Sequence, residues 1–280
     1  MDAVYQLLRG IKVLPPSPQV LPKVLDALRH EETTLEEIGE LISLDAVLTA
    51  KLLHYCNSVY FSGREPVASV PEAIGRVGFQ TIFALVSAVS GGRAFQAPAD
   101  SGLDSHQLWR HSVTAAFACK FVSEDIETDG NLLFTAGLLH DIGRVVLGQA
   151  KGAEYGRLYT EALSTKANVN EREKAAFGFT HADVGAGLLE TWKLPPALVE
   201  SVRFHHQPAN AGATKNMAAA VCLGNGLAHH FEHPADDPAT SSAEVQGALD
   251  LLGLGPRHLE LYDEQMQENW DFVNRLIELR

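Results

Sequence analysis

The sequence predicts an all-α fold: segments of helical period fill it, proline and glycine punctuate them, and strand-like alternation bounded by turn pairs such as Asn-Gly is nearly absent. With 280 residues, 46% of them hydrophobic and 20% charged, the chain can bury a core sufficient for one large domain or two modest ones.

The elements follow in order. After the proline-rich Leu14 to Pro18, Val20 to Leu28 places Val20, Val24, Leu25 and Leu28 on one helical face. Thr34-Leu35-Glu36-Glu37 is a capping box, the Thr oxygen accepting from first-turn amides and Glu37 reaching back. It opens a helix expected to turn Leu35, Ile38, Leu41 and Ile42 inward. Asp45 starts the next helix, through Leu48, Leu52 and Leu53 to Cys56-Asn57-Ser58. Ser69-Val70-Pro71-Glu72 reads as a second box, leading into Ala73-Ile74 and an apolar helix from Phe79 to Val89 that Gly91-Gly92 ends. The polar stretch Gln96 to Ser105 marks a boundary near residue 100, separating an N-terminal helical subdomain (1–100) from a second one (101–231). There, helices are expected at Ser105–Val122, Asn131–Ile142, Ala150–Ala167, Glu171–Phe177, Thr180–Trp192, Pro196–His206 and Lys215–Phe231. Glu232 to Ser242 reads as a surface loop. Residues 243–280 read as a helical extension, with Leu259, Tyr262, Met266, Trp270, Val273 and Ile277 at the spacing of a docked terminal helix.

Charge and cysteine usage narrow the function classes. The formal net charge is −13, from 35 acidic and 22 basic residues, and the basic residues do not cluster, so nucleic acid is not an expected partner. The longest apolar stretches, around Thr81–Val89 and Leu132–Leu139, fall short of the roughly 20 residues a membrane helix needs, so no membrane partner is expected. Cys56, Cys119 and Cys222 are scattered and odd in number, which fits neither a disulfide framework nor a CxxC site. The N-terminus lacks the pattern of a signal peptide, and the expected location is cytoplasmic.

The chemistry concentrates in histidines at element ends. His140 and Asp141 are adjacent at the end of an apolar helix that Gly143 is expected to terminate. Neighbours on a helix point roughly 100° apart, so such a pair shares a site only at a helix end or where a partner helix wraps it. Their imidazole and carboxylate supply mixed N and O ligands, suited to Fe, Mn or Zn more than to Ca or Mg. His111 is read as opening a helix after Trp109; His181 sits just after the cap Thr180, with Asp183 completing a Thr-x-x-Asp box; His205 and His206 close a helix before Pro208. These five histidines and one aspartate form the candidate metal set. His229, His230 and His233 read instead as polar groups serving the exposed carbonyls of a helix end. His30, His54, His106 and His258 are lone residues with no assigned role.

Several stretches resemble a known family. Leu14-Pro15-Pro16-Ser17-Pro18, Ile42 to Thr49, Cys56-Asn57-Ser58 and Ala73-Ile74-Gly75-Arg76-Val77-Gly78 are similar to the N-terminal half of the HDOD family, the HD-related output domain of bacterial signalling proteins. The resemblance continues through Leu108 to Ser112, Ala136 to Gly143, Phe177 to Gly185, Trp192-Lys193-Leu194-Pro195 and His205-His206-Gln207-Pro208, covering residues 14–230. It implies an HD-like helical fold related to the HD and HD-GYP metal-dependent phosphohydrolases, and a regulatory output role without catalysis. By position, His111, His140, Asp141, His181, His205 and His206 are then the metal ligands, with Asp141 the bridging carboxylate and iron the implied metal.

Two departures from the HD-GYP pattern bear on activity. The place of a completing aspartate is taken by Asn225, a weaker neutral ligand, although another acid such as Asp183 could substitute; and the Gly-Tyr-Pro loop is absent. Arg144 stands where the enzymes have Lys, keeping charge but changing geometry. The expected function is a signalling output module with a retained metal site, its partner a signalling protein or a small nucleotide. The alternative is a metal-dependent phosphohydrolase acting on a nucleotide or cyclic dinucleotide, with Asp141 and Arg144 as its catalytic residues.

Overall fold

The computed structural model describes residues 2–30, 32–57, 66–233 and 242–278, and regular structure among them is helical. The first part of the chain forms α1 (Asp2–Gly10), α2 (Val20–Ala27), α3 (Leu35–Ser43), α4 (Ala46–Cys56), α5 (Val70–Val77) and α6 (Phe79–Gly92). A short 3-10 turn at Ala99–Ser101 leads to α7 (Ser105–Val122), α8 (Gly130–Leu139), α9 (Ile142–Lys151), α10 (Ala153–Ser164) and α11 (Val169–Phe177). Then come α12 (His181–Thr191), α13 (Pro196–Arg203), α14 (Lys215–Glu232), α15 (Ala243–Leu252) and α16 (Pro256–Glu278). Ser58 and residues 234–241, most of the expected surface loop, lie outside the described residues.

Local chemistry sets most of the helix starts. Thr34 and Glu37 form the reciprocal capping box, with the Glu37 N–H donating to Thr34 Oγ1 at 3.2 Å and the Thr34 N–H to Glu37 Oε2 at 2.7 Å. Asp45 accepts from the Val47 and Leu48 amides at 3.0 Å each. Removing this cap by Asp45→Ala is expected to cost about 1 kcal/mol, read as a lowered urea midpoint with unchanged slope. The second box is only half formed: Ser69 accepts from the Glu72 amide, but the Glu72 carboxylate takes the Ala68 N–H instead of reaching Ser69. Leu35 is also a correction, being half exposed at the first position of α3, one turn ahead of the buried Ile38.

Packing places the site at the centre of the second part of the chain. α7 lies against α8, α14 and α16; α12 packs on α9 and α13; α13 also meets α8 and α14; and α6 links α4 and α5 to α8 and α16. Gly91 and Gly92 form the last turn of α6, and a Cβ at Gly91 would stand 3.1 Å from the Leu138 side chain of α8, so a bare backbone permits that approach. The terminal helix docks as its spacing predicts: Tyr262, Met266, Val273, Leu276 and Ile277 are buried, and Trp109 donates its indole N–H to the Ile277 carbonyl at 3.1 Å. The N-terminal residues hold an element the sequence reading lacked. α1 packs on α12 and α9, with Val4 and Leu8 against Gly187 and the Tyr5 hydroxyl donating to Glu190.

The largest correction concerns Gly143. The apolar helix ends at Leu139, and Gly143 is the second residue of a new helix, α9, which fills the stretch between the expected Asn131–Ile142 and Ala150–Ala167 helices and takes the first two residues of the latter. Gly152, at a φ of 52°, separates α9 from α10. Among the described residues no helix is long and apolar enough to cross a membrane.

Candidate metal centre

His140 and Asp141 occupy the two-residue break between α8 and α9, so backbone direction changes between them and both side chains can face one point. His111 lies inside α7, which Asp104 caps, and does not open a helix as expected; His181 is the first residue of α12, His205 and His206 follow the end of α13, and Asn225 lies on α14. All the predicted site residues converge. They form two groups, His111 with His140 and Asp141, and His181 with His205 and His206; within each group one ligand atom per residue lies within 4.8 Å of the others.

Each of the five histidines is tied at Nδ1. His140 donates to the Gly137 carbonyl and His205 to the Val202 carbonyl, both at 2.7 Å. The other three meet carboxylates: His181 meets Glu173 at 2.8 Å, His111 meets Glu232 at 3.0 Å and His206 meets Glu244 at 3.2 Å. Every Nε2 is thereby left to the interior. His181 Nε2 lies 3.1 Å from Asp141 Oδ1 and 3.3 Å from His206 Nε2, while His140 Nε2 lies 3.5 Å from Asp141 Oδ2. His140 Nε2, His205 Nε2 and Asp141 Oδ1 are fully buried with no aligned hydrogen-bond partner.

Such orphaned atoms are costly, and a shared cation is their natural partner. Ligands held about 2.1 Å from a metal stand roughly 3 Å apart when adjacent, close to the separations seen here. A donor set of imidazole nitrogen and carboxylate oxygen without thiolate fits Fe, Mn or Zn. Outer-shell acceptors on the ligating histidines are the arrangement that fixes tautomer and ring orientation in metal sites. The residues therefore fit a metal.

Burial and charge prepare the same site. Burial pushes the His140 ring down to about 4, and the same cause holds His205 well below its usual value, so both are neutral. Burial pushes the Asp141 carboxyl up, but the Arg144 guanidinium, 2.8 Å away, and the His181 ring, 3.1 Å away, outweigh it and keep Asp141 ionised. His111 and His181 also lose charge stability by burial, yet Glu232 and Glu173 raise them above the ordinary imidazole range.

Several expectations change here. Asp183 is spent on the α12 cap, where its carboxylate accepts the Thr180 N–H at 2.9 Å, so it is no substitute ligand. Asn225 does join the site, its Oδ1 standing 2.9 Å from His111 Nε2. Arg144 is buried, paired to Asp141 and stacked 4.9 Å over the Tyr159 ring, which makes it a partner of the carboxylate. His229 lies in the last turn of α14 as expected, but its ring turns to the site, its centroid 4.4 Å from that of His111. Asn225, His229 and Glu232 are spaced i, i+4, i+7, the one-face pattern that could have flagged them. Glu173 and Glu244 carried no such signal, because they reach the histidines from other helices.

A family model for the HDOD domain matches residues 14–208. The chain belongs to the HDOD family. An HDOD domain protein of unknown function from Geobacter sulfurreducens superposes with a TM-score of 0.78 at 20% identity, covering 100% of this chain and 97% of that one. A protein from Shewanella amazonensis SB2B, described as a candidate phosphohydrolase, gives a TM-score of 0.74 at 25% identity over 99% of this chain and 97% of its own. An uncharacterized protein of Treponema pallidum (strain Nichols) is 26% identical over 204 residues, 71% of this chain. The aligned region is 38% of that relative's length. The HDOD match ends at Pro208, so Asn225, His229, Glu232 and Glu244 are contributed from beyond it.

Proposed function

We propose that this HDOD chain is a regulatory output module built around a structural metal centre, without hydrolytic activity. The observation that carries the reading is the burial of five of the six ligands: His140, His181 and His205 are fully buried, Asp141 and His111 are nearly so, and His206 alone is part-exposed, with Glu244 set against its ring. A metal used to hold helices together is closed off, whereas one used on a substrate keeps an open position. The metal would be held by His111, His140, Asp141, His181, His205 and His206, with Asn225 beside His111, and iron is our first candidate ahead of Mn and Zn. When bound, it supplies Lewis acidity and a template joining α7, α8, α12, α13 and α14. The chain's own residues fix the ligand orientations, and Arg144 keeps Asp141 ionised.

The output would be read by a signalling protein partner or through a small nucleotide ligand, in the cytoplasm. Three free, buried cysteines suit that reducing compartment.

The rival reading is a metal-dependent phosphohydrolase, favoured by two ligand groups that meet where Asp141 of one faces His181 of the other and by the likeness to the Shewanella amazonensis candidate phosphohydrolase. The two part on one assay. Metal-loaded protein is expected to leave cyclic di-GMP, other cyclic nucleotides and a generic phosphodiester uncleaved over hours. Turnover that disappears in His140→Ala/Asp141→Ala would replace the regulatory reading with the hydrolytic one.

A further inference from the structure

Glu173 belongs to neither ligand group, yet it is completely buried on α11. Its Oε2 accepts the His181 ring Nδ1–H at 2.8 Å and the His181 backbone N–H at 2.7 Å, while its Oε1 accepts the Tyr155 hydroxyl at 2.8 Å. One carboxylate thus grips both the ring and the main chain of the residue that opens α12. The ring is left one orientation, with Nδ1–H on Glu173 and Nε2 facing Asp141 Oδ1 at 3.1 Å.

Helix capping alone does not account for this residue. Thr180 and Asp183 already form a reciprocal box at the same helix start. A buried carboxylate costs several kcal/mol in lost hydration unless opposite charge repays it. Among the described residues, the only ion pair Glu173 makes is with His181, and that ring's far nitrogen points into the metal set. Burial pushes the Glu173 carboxyl up, but the His181 ring and, further off, the buried Arg144 guanidinium outweigh it and hold the carboxyl below its usual range, so Glu173 shares the charge network of Asp141. His140 and His205 differ, resting on neutral carbonyls. A carboxylate acceptor raises the basicity of the imidazole it holds.

We propose that Glu173 is a positioning residue that presents His181 Nε2 to the metal centre and makes it a strong donor of the set. This role rests on the metal-centre reading above, and the test separates the two. Cobalt(II) is titrated into the metal-free full chain, its Kd and visible spectrum are recorded, and Glu173→Gln and Tyr155→Phe are compared with the parent. Glu173→Gln keeps the shape and loses the charge; it is expected to weaken binding by about 10–100-fold and to alter the spectrum, with helix content by circular dichroism unchanged. Tyr155→Phe leaves both bonds to His181 and is expected to bind as the parent does.

Parent-like affinity in Glu173→Gln would overturn the role of Glu173 alone, as would an equal loss in Tyr155→Phe, which marks general loosening of the cage. A parent that binds no cobalt overturns the metal-centre reading and this role with it. If Glu173→Gln does not fold, nitrogen-15 NMR of the zinc-loaded parent decides: the His181 proton is expected on Nδ1, and a proton on Nε2 overturns the proposal.

Discussion

Asp141→Asn is expected to strip the protein of its metal, lowering content by elemental analysis from at least about one ion per chain to background. Asp141 is the group common to both halves of the site, its Oδ2 near His140 and Arg144 and its Oδ1 near His181. Asparagine preserves the shape but removes the negative charge that draws a cation into a buried ring of imidazoles. It also strands Arg144, which is 5% exposed, and an uncompensated buried charge costs about 3–5 kcal/mol. The substitution is therefore expected to lower Tm as well. His140→Ala separates these effects, because it deletes a ligand while leaving the Asp141–Arg144 pair in place. Metal retained by Asp141→Asn at the parent level would sink the assignment of Asp141 to the centre.

Gly143→Ala is expected to destabilise the fold by about 3 kcal/mol or more, the cost of overpacking a tight contact. In an ordinary helix the same change stabilises by roughly 1 kcal/mol, so the expected sign is reversed. The reason is the approach of α9 to α12: a Cβ on Gly143 would stand 1.9 Å from the His181 carbonyl oxygen and 2.7 Å from the Gly185 nitrogen. Both are backbone atoms, and no rotamer can move them aside. Relief requires α12 to shift, and His181 shifts with it. A loss of metal affinity should accompany the fall in urea midpoint. A variant as stable as the parent would show that the two helices can separate without cost.

The two substitutions also show how much the sequence determined by itself. Local chemistry was legible: Thr34-x-x-Glu37 and Thr180-x-x-Asp183 form their boxes, Asp45 caps its helix, and the spacing of Tyr262, Met266, Val273 and Ile277 docks α16. These features depend on residues within a turn or two of one another, where periodicity carries the information. His140, Asp141, His181, His205 and His206 were legible for a related reason, since they recur at element ends where helices can converge, whereas His111 lies inside α7. Gly143 was misread because glycine ends helices and admits close helix packing with equal ease, and only the position of α12 distinguishes the two. Likewise Ser69 and Glu72 have the spacing of a box, but the chain before Ser69 presents the Ala68 N–H to Glu72.

Tertiary structure alone decided the outer shell. Glu173, Glu232 and Glu244 lie 8, 121 and 38 residues from the histidines they hold, on α11, α14 and α15. His229 meets His111 across α14 and α7 in the same way. Hydrogen bonds between helices depend on where packing sets each backbone: the i, i+4, i+7 spacing can put Asn225, His229 and Glu232 on one face of α14, but not say which histidine that face meets. The sequence could name the atoms that would face a metal. The fold decided which carboxylates and carbonyls turn them toward it.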